Sequence, residues 1–252
     1  MTVTMIVTLK KKPDLTVEQF RHHYETSHGE LVKKYGGHLF EDYRRYCVNE
    51  VYRLDRSPIG AERLYDAITV FKFKHQLDCD TWLRMMETTE TRDVFRADEE
   101  KFLDRSQVYA YFANEVRTWV ADDLRQAPAQ RKEPLNVTMI ATLKRRADLS
   151  PMQFRYHYES SHVMLAKKFG GHLIEDYRRY YPYAVARAGG ALVTEERAYD
   201  DITIMKFKDE AAREGWYHVM DAPESADLFL QDEYRFLDRS QVFAYSSVEV
   251  KA

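Results

Sequence analysis

Thr alternates with larger apolar side chains in "VTMIVTLK" from Val3 to Lys10, the period-two pattern of a half-buried strand, and the pattern returns as "VTMIATLK" from Val137. Downstream of each strand the period changes. Phe20, Tyr24, His28 and Leu31 recur at steps of four, four and three, which places them on one stripe of an α-helix; Phe154, Tyr158, His162 and Leu165 repeat the stripe. Thr16 and Ser150 stand as N-caps, each with a Gln three residues on, and Gly36 and Gly170 stand as C-caps, so one helix is predicted from about Val17 to Tyr35 and again in the second half. "GGHLFEDYRRY" opens a second strand, "YDAITVFKFK" and "YDDITIMKFK" read as a third, a helical stretch covers about Trp82 to Phe102, and "SQVYAYFANEV" reads as a fourth strand.

The two halves align without insertion at a constant offset of 134 residues, from Val3 and Val137 to the shared "FLDRSQV" at Phe102 and Phe236. Roughly half of the paired positions are identical, the mark of a duplicated domain and not of a short solenoid repeat. Residues 1–117 and 135–252 are the two units; 118–134, rich in Pro, Ala and charge, is the linker, with one helical turn expected near Trp119. Each unit reads β-α-β-β-α-β, the ferredoxin-like order. A sheet covered by helices on one face leaves the other bare. Two copies bury those faces against each other, so the expected fold class is α+β, with two ferredoxin-like βαββαβ units packed as an intramolecular pseudo-dimer around a barrel. Further homodimerisation is left open.

Charge narrows the partners. The 38 basic and 41 acidic residues, net −3, are mixed along the chain, so no nucleic-acid footprint stands out. The opening apolar run is too short to span a membrane and its lysines follow it, so a cytoplasmic protein with no membrane partner is expected. Cys47 and Cys79 align with Tyr181 and Arg213, which excludes a repeated disulfide or thiolate metal site. No Gly-rich nucleotide loop, nucleophile elbow or zinc-helix spacing occurs; no metal and no cofactor are expected.

The candidate chemistry lies in "RHHYETSHGELVKKYGGHLFEDYRRY" and its copy from Arg155 to Tyr180. His28 and His162 face the sheet, either as core histidines hydrogen-bonded to backbone or as general acids or bases, work that histidine as a residue type suits. Tyr24 and Tyr158, one turn earlier, can share a proton; His23 falls on a flanking stripe with Ser27. His38 and His172, after the Gly pair, are placed across a cleft from the helix histidines. The second strand carries charge on both faces: His38, Phe40, Asp42, Arg44 and Tyr46 on one, Leu39, Glu41, Tyr43, Arg45 and Cys47 on the other. Such groups either pair internally or line a wet pocket. In the pocket reading Arg44 and Arg178 hold a carboxylate or oxyanion, while Arg45, Arg179, Tyr43, Tyr177, Tyr46, Tyr109, Tyr111, Phe243 and Tyr245 enclose a substrate. For the last-strand aromatics core packing is the competing reading. Asp66, Asp104 and Arg105 read as Asx turns or loop ion pairs. Gly29 against Val163, Cys47 against Tyr181, Tyr52 against Ala186, Phe112 against Ser246 and Asn114 against Val248 are divergent wall positions that make the two pockets unequal.

The pattern L-K-(K/R)-x-x-D-L-(T/S), then F-R-x-x-Y-x-x-x-H-x-x-L and a late F-x-D-R-S, resembles the EthD family of the dimeric α+β barrel superfamily in both halves. The resemblance implies an intramolecular dimeric α+β barrel, a pocket between helices and sheet in each unit, and the helix histidine at His28 and His162. Related barrels include cofactor-independent cyclases, anthrone oxygenases, isomerases, decarboxylases and dehydratases, besides haem enzymes. The function expected is a cofactor-independent lyase, decarboxylating or dehydrating a bulky aromatic, phenolic or polyketide-like acid by histidine acid/base catalysis. Its competitors are an isomerase, a cyclase, an anthrone-type oxygenase and a non-catalytic carrier.

Overall fold

Each copy contributes four strands: β1 (Val3–Leu9), β2 (Phe40–Arg53), β3 (Ala67–Phe73) and β4 (Tyr109–Val120), then β5 (Val137–Leu143), β6 (Ile174–Arg187), β7 (Asp201–Phe207) and β8 (Phe243–Val250). In this computed structural model, which describes residues 2–54, 57–58, 64–120, 137–187 and 198–250, they close one antiparallel barrel in the order β1-β3-β2-β8-β5-β7-β6-β4. Each half holds four neighbouring strands, and the seams between halves are β2 with β8 and β4 with β6. The bare sheet faces therefore do bury each other. Ile6, Tyr46, Ile68, Tyr111, Ile140, Tyr180, Ile202 and Tyr245 are among the side chains that fill the barrel, each large one worth about 1.5–3 kcal/mol of burial.

Helices cover the outside. The first copy has α1 (Val17–His23), α2 (Gly29–Gly36), α3 (Gln76–Glu87) and α4 (Thr89–Glu99); the second has α5 (Pro151–His157), α6 (Val163–Gly170), α7 (Glu210–Asp221) and α8 (Ala226–Phe236). The N-caps are as expected: Gln19 N–H donates to Thr16 Oγ1 and Thr16 N–H to Gln19 Oε1, with Ser150 and Gln153 matching them. Asp104 and Asp238 make the expected turns by accepting from Ser106 and Ser240 N–H.

Four local expectations change. The single helix is two, because a π-helical turn separates α1 from α2 at Tyr24–His28 and α5 from α6 at Tyr158–His162. Gly36 and Gly170 end their helices without the left-handed cap: a Cβ on either would lie 2.4 Å from Trp82 or Trp216 Cζ3, so the glycines admit the indole rings. Residues near Trp119 are strand, since β4 runs through Val120 to pair with Asp176 of β6; the remainder of the expected linker, 121–134, lies outside the described residues. A bulge between Phe40 and Asp42 breaks the strand alternation and turns Phe40 to the helix side, against Tyr43 and Trp82.

Candidate active site

The π-turn assembles the histidines. His23 and His28, like His157 and His162, are five residues apart; on an α-helix they would diverge by about 140°, but the wider π-turn brings both to one side. A carboxylate from the second helical layer receives them. His28 Nδ1 lies 2.9 Å from Asp98 Oδ2 and His23 Nε2 2.8 Å from Asp98 Oδ1. In the second copy His162 Nδ1 is 2.9 Å from Asp232 Oδ2, His157 Nε2 is 2.8 Å from Oδ1, and Ser161 Oγ donates to Oδ1 at 2.5 Å. Burial alone raises such a carboxyl, but the hydrogen bonds from His162 and Ser161, with His157, outweigh it and draw Asp232 down to about 2. Asp98 moves the same way, drawn down against its burial by the hydrogen bonds from His28 and His23. An ionised carboxylate can only accept, so both rings donate to it; neutral His162 then carries its proton on Nδ1 and a lone pair on Nε2.

His162 stands in the wall of a cavity of about 520 Å³ between the helices and the outer face of the second sheet. Met139, Leu143, Met205, Trp216 and Phe229 supply apolar wall; Tyr158, Tyr177 and Thr203 bring hydroxyls to it. Tyr158 Oη lies 3.2 Å from Tyr177 Oη and 2.7 Å from Thr203 Oγ1. Burial pushes Tyr177 up to about 12, against the nearby Arg179, and raises Tyr158 well above its ordinary value, so both stay protonated. Tyr52, at the end of β2, reaches this cavity from the other copy. In the first copy the corresponding region holds a stack of rings: Phe71 lies 5.1 Å from both Phe40 and Tyr43 and 5.9 Å from Trp82. Ile174 and Met205 replace two of those rings in the second copy.

The arginines are committed elsewhere. Arg44 and Arg178 share the barrel-side face with Tyr46 and Tyr180, on the opposite side of the sheet from the cavity, so they cannot reach a ligand there. Arg44 Nε bonds Asp42 at 2.6 Å and Arg178 Nε bonds Asp176 at 2.8 Å, within an ionic cluster that also includes Glu115, Arg117, Lys206 and Glu249. Internal pairing, the first of the two readings of the charged strand, is the one observed. Arg45 and Arg179 do face the helices. Arg45 Nη1 donates to Tyr24 O at 3.1 Å and sits where a Cβ on Gly29 would be, 2.1 Å away. Val163 fills that place in the second copy. There Arg179 forks onto Glu159 at 2.9 and 2.7 Å, and Tyr181 Oη donates to Glu159 Oε1 at 2.6 Å.

The remaining candidates separate cleanly. Tyr46, Tyr111 and Tyr245 belong to the barrel core, with Tyr109 and Phe243 packed against it, so these aromatics take the core alternative. His38 and His172 are exposed and precede the second strand of each copy. Asn114 and Val248 are both exposed, and neither lines the cavity described. Sequence reasoning missed Asp98 and Asp232, present in both copies as "DE", and Asp201, which stands where the first copy has Ala67. That acid, the single charge difference between two strands that otherwise exchange only apolar residues, was the available signal.

Fold and site together define a fused, two-copy α+β barrel with one histidine–aspartate constellation per copy. Sequence comparison takes this further: the EthD domain profile matches residues 12–106 and 146–240, and the chain belongs to that family. No curated protein matches the chain in sequence. Two solved structures share the fold across it. One is an anthrone oxidase-like protein, at 10% identity and TM-score 0.55, covering 99% of this chain and 91% of that one. The other is a candidate monooxygenase from Fusobacterium nucleatum subsp. nucleatum, at 10% identity and TM-score 0.53, covering 99% and 93%. At such identities the likeness is one of fold. No helix among the described residues is long and apolar enough to cross a membrane.

Proposed function

We propose that the second copy's cavity is the active site of a cofactor-independent lyase acting on a bulky phenolic compound, with His162 as general acid and base. The observation that carries this reading is the Asp232–His162 pair in the wall of a largely apolar space of about 520 Å³. A cavity of that size suits a ligand of several rings. His162 Nε2 takes the phenolic proton, the ring electrons expel hydroxide from a benzylic carbon, and the imidazolium returns the proton so that water leaves. The quinone methide then rearomatises: the adjacent carbon gives up a proton as the ring oxygen is reprotonated, and one water is lost overall.

Dehydration fits better than decarboxylation. Arg44, Arg45, Arg178 and Arg179 are held by carboxylates or carbonyls, and the wall carries Glu214, Asp221 and Glu233 alongside Arg53 and Arg239. A neutral phenol is therefore better received than an aromatic acid. The second reading is oxygenation: the same base, acting on an anthrone-type carbon, makes a carbanion open to dioxygen, and the fold likeness to an anthrone oxidase-like protein supports keeping it.

The test is incubation of the purified protein with phenolic benzylic alcohols and with anthrones, followed by mass spectrometry. Loss of one water supports the lyase, and gain of oxygen the second reading. Either should vanish in a folded His162→Ala variant. Ligands that bind and return unchanged would make the protein a carrier and overturn the catalytic reading.

A further inference from the structure

Asp201 brings to the neighbourhood of the cavity a buried acid that the first copy lacks. It is fully buried, 0% exposed, on the helix side of β7, and Ala67 occupies its place in the first copy. Its Oδ2 lies 2.6 Å from Thr203 Oγ1, which lies 2.7 Å from Tyr158 Oη, which lies 3.2 Å from Tyr177 Oη. Four polar groups thus run in line from the sheet to the cavity wall. Asp201 Oδ1 has no hydrogen-bond partner among the described residues. Charged and titratable neighbours come from two elements: Arg179, Tyr177 and Tyr181 on β6, and Glu159 with Tyr158 on the π-turn. Arg179 forks onto Glu159 and acts on Asp201 only through its charge.

Burial lifts the Asp201 carboxyl well above the usual carboxylate range, against the hydrogen bond to Thr203, the charge of Arg179 and the Tyr180 backbone N–H. An uncharged acid also tolerates a poorly satisfied buried oxygen far better than a carboxylate does. Its protonation decides the polarity of the line. A neutral acid donates to Thr203, which releases the Thr203 hydroxyl to donate to Tyr158, and the Tyr158 hydroxyl to donate outward. An ionised acid would reverse every bond and leave Tyr158 facing the cavity as an acceptor.

We propose that Asp201 is a positioning residue that orients the Thr203–Tyr158–Tyr177 line so that the tyrosine hydroxyls donate to an aromatic oxyanion bound in the second copy's cavity. This rests on the cavity being a phenol site and adds which form of the phenol it stabilises.

Alizarin, a three-ring phenol whose ionisation is read from its visible spectrum, is a suitable probe. Bound to the wild-type protein, its phenolate-to-phenol ratio should rise by about tenfold or more over the free dye at equal pH, the worth of a charge-assisted hydrogen bond. Asp201→Ala and Thr203→Val should lose most of that rise. Asp201→Asn should keep it, because the amide N–H donates to Thr203 in the same direction. If Asp201→Ala does not fold, the comparison of Asp201→Asn with Thr203→Val decides. Dye that binds with the same ratio in wild type, Asp201→Asn and Thr203→Val overturns the role of Asp201 and leaves the cavity reading intact. Dye that neither binds nor quenches Trp216 fluorescence overturns both.

Discussion

Replacing Asp232 by Asn should leave a signature in the acid limb of the stability curve. In the folded chain this carboxyl lies at about 2 instead of 3.8, because the hydrogen bonds from His162, Ser161 and His157 outweigh its burial. The displacement corresponds to roughly 2 kcal/mol at about 1.4 kcal/mol per unit, and partial solvent screening of the donors trims it to about 1–2 kcal/mol. Its sign follows from its direction. A carboxyl depressed by folding contributes fully above its unfolded value, near pH ~4, and its contribution is lost as pH falls through about 2. Wild type should lose that increment across this window; Asp232→Asn, with nothing there to titrate, should not. At neutral pH the variant should already be weaker by about 1–3 kcal/mol, since one amide oxygen must serve three donors that two carboxylate oxygens served. Urea denaturation followed by circular dichroism, at stepped pH from neutral to strongly acidic, measures both effects. Parallel wild-type and Asp232→Asn curves would refute the account of what holds this histidine pair.

His162→Ala should cut turnover by about 10²–10⁴ while His28→Ala changes it little, because the cavity described lies beside His162; equal small effects in folded proteins would return both histidines to the core. Gly170→Ala places a Cβ 2.4 Å from Trp216 Cζ3, so the indole must shift and stability should fall by about 1–3 kcal/mol; a rise, as helix propensity alone would give, would show that the ring is not confined. Each half expressed alone exposes two strand edges and its share of the barrel core, so sedimentation should show self-association, and a stable monomeric half would contradict the barrel.

The strands, the duplication and the capping boxes were legible because period-two alternation and Ser/Thr-x-x-Gln spacing are local properties. The charged strand was not, since alternation names the two faces without saying which one meets the helices, and the bulge at Phe40 resets it. Nor was the pairing of His23 with His28: an α-helical period separates them, and the π-turn that unites them has no spacing rule of its own. That His28 and His162 face inward was legible in their stripe, while Asp98 and Asp232, which fix their tautomer, looked like any acid on an exposed helix. Arg44 and Arg178 were misplaced for a simpler reason. Whether an arginine is already bonded depends on partners as distant in sequence as Glu115 and Glu249.

Fusion of the two copies changes what evolution can try at each site. In a barrel made of two identical chains, every substitution is written into both cavities at once, and a change that suits one ligand but harms assembly is taken twice. Here the arginine of one half lies against Gly29 where the other half has Val163, and Asp201 stands in β7 where β3 has Ala67. Tyr52 walls its neighbour's cavity, while Ala186 stands at the matching position of the other half. One copy can remain the conservative scaffold that closes the sheet, and the other can carry a buried acid that a symmetric pair would have had to accommodate in duplicate.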